Sequence, residues 1–184
     1  MQLSYDKALA IIENSEVLYS EDELNKRIFL LAKQIEQEII GEIPIFLNVM
    51  NGGLFFAASI LSQISGPFIS DYVHASRYGN SISGTSQITW HRRPSMQNIY
   101  GKTVYIIDDV LDEGYTLAEI KKNLLDFGAK SCKTIVLIDK NINKEKPIIA
   151  EYVGFNAPNH FLFGYGMDIY GLYRQLPDIY IYKV

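Results

Sequence analysis

Four acids and one glycine fall within nine residues of this chain. Asp108 and Asp109 are adjacent, Val110-Leu111 follows, and Asp112-Glu113-Gly114-Tyr115-Thr116 completes the run. Ionised carboxylates only accept hydrogen bonds. An adjacent pair could take bonds from two neighbouring hydroxyls of a ribose, or hold Mg²⁺ through water. Gly114 lets a backbone approach a ligand closely, and Thr116 adds a hydroxyl donor. If a helix opens there, its unpaired N–H groups and the positive end of its dipole suit a phosphate. The run therefore has the makings of a site for a sugar and its 5′-phosphate.

The flanking residues must position that run. Val104-Tyr105-Ile106-Ile107 reads as a buried strand that stops at the acids. Leu117, Ile120, Leu124 and Phe127 recur at three or four, which predicts a helix with one apolar face. Thr116 and Glu119 have capping-box spacing at its start, and Gly128 fits its C-terminal end. Strand, acids, glycine turn and helix follow in that order, as expected where ligands bind at the carboxyl edge of an α/β sheet. The plan recurs upstream: Ile45–Met50 reads as a strand, Asn51-Gly52-Gly53 as a turn, and Leu54–Gln63 as a helix. Lys133–Asp139 reads as a further core strand, with Lys140 at its end on the same edge. Lys140 donates three hydrogen bonds and accepts none, so it could read the 6-carbonyl of a purine and its neighbour N7.

The remaining chain supplies scaffold. Residues 5–19 predict a short helix and then a turn or strand. Ser20 and Glu23 form a second capping-box pair, and Leu24, Ile28, Leu31, Ile35 and Ile39 make the stripe of a long helix ending near Gly41. Pro67–His74 and Gln87–His91 read as strands around a segment rich in Ser, Gly, Thr and Asn. No Asp or Glu occurs from Tyr72 to Ile107, whereas Arg77, Arg92, Arg93 and Lys102 do. A cationic loop of this kind could close over a polyanion and expel water. Glu151–Phe155 and His160–Gly164 are shorter strand-like runs. The pattern as a whole predicts an α/β fold with a mostly parallel sheet flanked by helices.

Composition sets the outer bounds. The 184 residues are 48% hydrophobic and 21% charged, a globular composition with one domain as the simplest division. A net charge of −4 argues against a general nucleic-acid binder. No apolar run is long enough to span a bilayer, and the start has no signal-peptide pattern. Cys132, the one cysteine, fits a reducing compartment, so the expected location is the cytoplasm.

Val104–Thr116 resembles the phosphoribosyl pyrophosphate signature of type I phosphoribosyltransferases, with Glu113 where that family usually has Thr. Three further segments resemble the purine enzymes of the family in the same order: the Asn51-Gly52 turn, Arg77-Tyr78, and VGFNAPNHFLFGYGMD running on to Tyr173-Arg174. The resemblance covers about 45–176. It implies a type I phosphoribosyltransferase fold in a single domain over 1–184. The core would span about 42–150, with a small hood from about 1–41 and 151–184 and a mobile lid loop at about 75–95.

The implied activity is purine salvage: hypoxanthine or guanine plus phosphoribosyl pyrophosphate gives IMP or GMP and pyrophosphate, with Mg²⁺. By the same resemblance Asp108 and Asp109 hold the ribose, while Glu113, Gly114, Tyr115 and Thr116 hold the 5′-phosphate. Asn51, Gly52 and Arg174 meet pyrophosphate, and Arg77-Tyr78 opens the lid. Lys140 binds the 6-oxo group, Phe161 stacks on the base, and the backbone of Leu162 pairs with its edge. Asp168 lies near the 2-position and a second metal, with Asp108 and Asp109 reaching a metal through water. Asp112 is the candidate acid/base at N7. Glu113 is expected to turn its carboxylate outward and offer only its amide, because a carboxylate beside a phosphate is repelled. The peptide bond before the first glycine, Asn51–Gly52, can be cis in such enzymes. A homodimer or homotetramer is expected. A xanthine-preferring enzyme and a non-catalytic nucleotide sensor on the same fold are the alternatives.

Overall fold

The computed structural model describes residues 3–77 and 88–183. Its main layer is a six-stranded sheet ordered β4-β3-β2-β5-β6-β7. The strands are β2 (Ile45–Met50), β3 (Ile69–Arg77), β4 (Ile88–Arg92), β5 (Thr103–Leu111), β6 (Ser131–Asn141) and β7 (Tyr152–Pro158). All neighbours pair parallel except β3 and β4. A parallel sheet must be covered on both faces, and alternate residues serve the two. Phe46, Tyr105 and Ile107 pack with α2 (Glu21–Glu38) and α3 (Leu54–Leu61). Ile45, Leu47, Val104 and Ile106 pack with α5 (Tyr115–Asp126) and with Ile99 of α4 (Met96–Ile99).

The predicted stripe of α2 is buried along its whole length, from Leu24 to Ile39. Its capping box is present: Ser20 Oγ accepts from Glu23 N, and Ser20 N donates to Glu23 Oε2 at 2.9 Å. The Arg27 guanidinium ties α2 to β7 by donating to the Val153 and Gly154 carbonyls, both at 2.7 Å.

A second, antiparallel sheet is ordered β1-β9-β8, from β1 (Ser15–Tyr19), β8 (Leu162–Phe163) and β9 (Ile179–Tyr182). It joins strands from the two ends of the chain. Ile11 of α1 (Tyr5–Glu13) packs with Phe163 and Ile169 beneath it. The Tyr173 hydroxyl donates to the Ala8 carbonyl at 2.6 Å.

Four local expectations change. First, β5 does not stop at the acids. Its ladder with β6 continues through Asp108↔Val136 to Leu111↔Asp139, so both acids are strand residues. Second, α5 starts at Tyr115, with Gly114 at φ 82° as its N-cap and no side-chain cap. The Thr116–Glu119 box is absent because Glu119 turns down the helix and accepts from Asn123 Nδ2 at 2.8 Å. Third, the cis peptide bond is Met50–Asn51, not Asn51–Gly52. The reversal begins as soon as β2 ends, and Gly53 N already donates back to the Val49 carbonyl at 3.0 Å. Fourth, β7 comes from the segment expected in the hood but forms an edge of the large sheet, because it pairs parallel with β6.

The burial of α2 sets a stability prediction. Ile35 is fully buried, whereas Leu30 on the same helix is 54% exposed. Ile35→Ala is expected to cost about 3 kcal/mol and to lower Tm by about 6–12 °C. Leu30→Ala should stay within about 0.5 kcal/mol. Equal losses in thermal melts would contradict the assigned inner face.

Candidate active site

The sheet's register makes the site. β2 pairs with β5 only as far as Asn48↔Ile107, whereas β5 and β6 stay paired to Leu111↔Asp139. Asp108 and Asp109 therefore emerge beyond the last β2–β5 pair, where the strand order changes direction. Open α/β sheets bind ligands at such a switch point.

A cleft of about 600 Å³ opens there. Asp108, Asp109, the loop Asp112–Thr116, Gly52 and Arg174 all line it. A smaller adjoining cavity of about 210 Å³ is lined by Lys140, Phe161, Leu162 and Asp168, and shares Asp109 and Asp112 with the first. The residues expected to hold a sugar phosphate and those expected to hold a purine thus lie in connected spaces.

Two glycines allow this convergence. A Cβ on Gly52 would collide with the Asp109 carboxylate, and one on Gly166 would collide with the Gly52 carbonyl. The 50–53 turn therefore packs against the Asp109 carboxylate, and the 164–167 turn packs against the backbone of Gly52. Gly166 also sits at φ 102°, which favours glycine.

Charge is concentrated in the same place. Asp109 is buried and Asp108 is half-buried. Loss of water around Asp108, and then the neighbouring charge of Asp109, push its pKa well above the usual carboxylate range. Burial also raises Asp109, opposed by its bond with Asp108 and by the positive charge of Arg174. Arg174 is itself held: it donates to the Gly166 carbonyl at 2.6 Å and pairs with Asp168 at 2.5 Å. Gly171 N donates to the other Asp168 oxygen at 2.7 Å.

On the purine side, Lys140 Nζ lies 2.7 Å from Asp112 Oδ2. The Lys140 side chain is 11% exposed and that of Asp112 is 48% exposed. A buried donor is thus paired with a carboxylate that reaches the cavity, an arrangement that can hold a carbonyl and a ring nitrogen side by side. Phe161 is half-exposed against this space, as a stacking platform requires, and Leu162 is buried in β8.

Some expected residues lie apart. Asn51 is exposed and its neighbours Met50 and Gly52, not Asn51 itself, line the cleft. Arg77 ends β3, where Ala75 reaches the cleft wall. Tyr78 and the rest of residues 78–87 of the expected lid loop lie outside the described residues. Glu113 is exposed at the cleft margin. The sequence reading also missed Ile142, Lys144 and Asn159, which line the cleft. Their signal was weak, because a polar stretch after a core strand reads as an ordinary connection.

No group of three or more His, Cys, Asp or Glu converges on an ion site among the described residues. Mg²⁺ is usually held by one or two carboxylates, water and substrate phosphates. Asp108 with Asp109, and separately Asp168, are the carboxylates available for it.

Comparison with known proteins agrees with this geometry. The model of the phosphoribosyl transferase domain matches residues 15–169. The hypoxanthine-guanine phosphoribosyltransferase of Bacillus subtilis is 32% identical, over 91% of this chain and 93% of its own. The bifunctional protein TilS/HprT of Listeria innocua is 36% identical over 91% of this chain, which spans only 26% of that protein's length. A crystal structure of a hypoxanthine-guanine phosphoribosyltransferase from Bacillus anthracis superposes with a TM-score of 0.85. It is 34% identical, with 90% of this chain and 97% of that one covered. The mixed sheet with helices on both faces is the type I phosphoribosyltransferase fold.

The acid pair carries a testable penalty. Folded Asp108 holds its proton more tightly than an unfolded Asp does. The penalty is therefore absent at low pH and grows as pH rises from the unfolded pKa through the folded one. Asp108→Asn removes the charge and should raise Tm at neutral pH by about 2–4 °C, the equivalent of about 1 kcal/mol in a chain of this size. The difference from wild type should shrink as pH falls toward about 4. Melts without Mg²⁺ or nucleotide, across that range, would refute this if the variant were the less stable at neutral pH.

Proposed function

The chain belongs to the phosphoribosyl transferase family, and we propose that it transfers the 5-phosphoribosyl group from phosphoribosyl pyrophosphate to hypoxanthine or guanine. The products would be IMP or GMP and pyrophosphate. The observation that carries this reading is the Lys140–Asp112 pair at 2.7 Å, set beside the acid pair and the glycine loop of one cleft.

The roles follow from the chemistry of each group. The first-turn N–H groups of α5 and the Thr116 hydroxyl bind the 5′-phosphate. Asp108 and Asp109 accept from the 2′- and 3′-hydroxyls of the ribose. Gly52, in the turn after β2, offers backbone to pyrophosphate in the cleft that Arg174 also lines, and the five N–H groups of Arg174 exceed its bonds to Gly166 and Asp168. Phe161 stacks on the base and the Leu162 backbone meets its edge. Lys140 donates to the 6-oxo group, so an adenine amino group in that place would leave the lysine without an acceptor.

In the transfer step, N9 of the purine forms a bond to C1 of the ribose. The C1–O bond to pyrophosphate breaks, and its electron pair leaves with the pyrophosphate. Asp112 takes the N7 proton as general base, a contribution of about 10²–10⁴-fold in such steps. Asp108 with Asp109, and separately Asp168, would hold Mg²⁺ through water, and the metal would supply charge neutralisation at the leaving pyrophosphate.

Initial rates with phosphoribosyl pyrophosphate, Mg²⁺ and each of hypoxanthine, guanine, xanthine and adenine test the proposal. Hypoxanthine and guanine should turn over, adenine should not, and Asp112→Asn should lose about 10²–10⁴-fold in kcat. Adenine turnover would remove the assigned role of Lys140. In the same assay Glu113→Thr should leave the KM for phosphoribosyl pyrophosphate unchanged, because only the Glu113 amide serves the phosphate. A large fall in KM would show that the carboxylate faces the ligand.

A further inference from the structure

Lys146 lies outside the roles assigned above, yet it is the most heavily bonded side chain near them. Its ammonium donates to the Leu111 carbonyl at 2.7 Å, the Lys140 carbonyl at 2.6 Å and Asp139 Oδ1 at 2.6 Å. An ammonium has three donors, and all three are used. The side chain is only 12% exposed, so these bonds are sheltered from water.

The acceptors are the informative part. Leu111 immediately precedes Asp112, and Lys140 is the other half of the Asp112 pair. Leu111↔Asp139 is the last register pair between β5 and β6. Beyond it the ladder no longer links the two chains, and Lys146 links them instead. The next two residues brace the same loop. A Cβ on Gly114 would stand 3.0 Å from Ile148 and 3.7 Å from Pro147, so this segment lies directly against the glycine turn.

We propose that Lys146 is a positioning residue for the transfer reaction. It pins the carboxyl ends of β5 and β6 together and so sets how Asp112 and Lys140 stand side by side at the purine edge. This rests on the function proposed above. Lys146 touches no substrate; it acts through the two groups that do. A misplacement of about 1 Å at a reacting centre can cost about 10²-fold in rate.

The test is Lys146→Met, which keeps the apolar stem and removes the donors. Ile35→Ala, on α2 and outside the site, serves as a matched destabilised control. Kinetics are read at a temperature where all three proteins are folded. Lys146→Met should lower kcat and raise the KM for hypoxanthine, with kcat/KM down by about 10- to 100-fold, while Ile35→Ala keeps wild-type constants per folded molecule. Wild-type constants in Lys146→Met, or an equal loss in both variants, would overturn the proposal.

If Lys146→Met does not fold, Lys146→Arg carries the test. Its planar fork cannot serve three acceptors that converge on one point, so the same split should appear in smaller measure, and its absence would count against the pin. Wild-type silence toward 6-oxopurines would overturn the proposed activity instead. The pin is then read from GMP affinity by calorimetry, expected to be about tenfold weaker in Lys146→Met through lost preorganisation. Equal affinity, or no GMP binding by the wild type, would sink it.

Discussion

The rest of the structure depends on a mismatch in pairing length. β5 outruns β2 by the residues that follow Ile107, while β6 keeps pace with it to Asp139. Where the β2–β5 pairing ends, the two acids line the cleft, with the Gly52 turn packed against the Asp109 carboxylate. An isolated pair of this kind, shielded from water, works against folding. It persists because the strands beneath it are fixed by two apolar layers and cannot slide by one residue without turning every core side chain to the wrong face. The sheet thus holds in place an arrangement that its own electrostatics would undo.

The cations around the cleft do not simply neutralise this charge. Arg174 is spent on Asp168 and a carbonyl, Lys140 on Asp112, and Lys146 on two carbonyls and Asp139. Each is anchored in a direction set by its bonds. Positive charge is therefore short at Asp108 and Asp109, which suits a site completed by a hydroxylated, metal-associated ligand.

Much of the layered core was legible in the sequence because period and capping act locally. The stripe from Leu24 to Ile39, the Ser20–Glu23 box and the β2 boundaries all stand as read. The juxtaposition of Asp112 with Lys140 followed from the shared sheet edge. What escaped depended on non-local contacts. β5 runs through its acids because β6 continues the ladder, and no periodicity in Val104–Leu111 reveals that. Thr116 lost its capping role once Gly114 adopted a left-handed conformation against Ile148, a residue more than thirty positions away. Nothing in the sequence singles out Lys146, because its three acceptors lie on two other segments. The side-chain Oδ1 of Asn48 is buried with no hydrogen-bond partner among the described residues, and nothing in the structure explains it.

The small sheet has a consequence for how the protein is made. β1, at residues 15–19, pairs with β9, at 179–182, and β8 joins only through β9. The wall that carries Phe161 and Leu162 therefore has no strand partner until β9 has left the ribosome. The glycine loop and acid pair lie on β5 and α5, and their supporting strand β6 is synthesised well before that. Synthesis runs from N- to C-terminus, and contacts of long sequence separation close last. A nascent chain would so acquire the phosphate half of its cleft before the half that reads the base. The last strand to emerge would turn a partial cradle into a complete one.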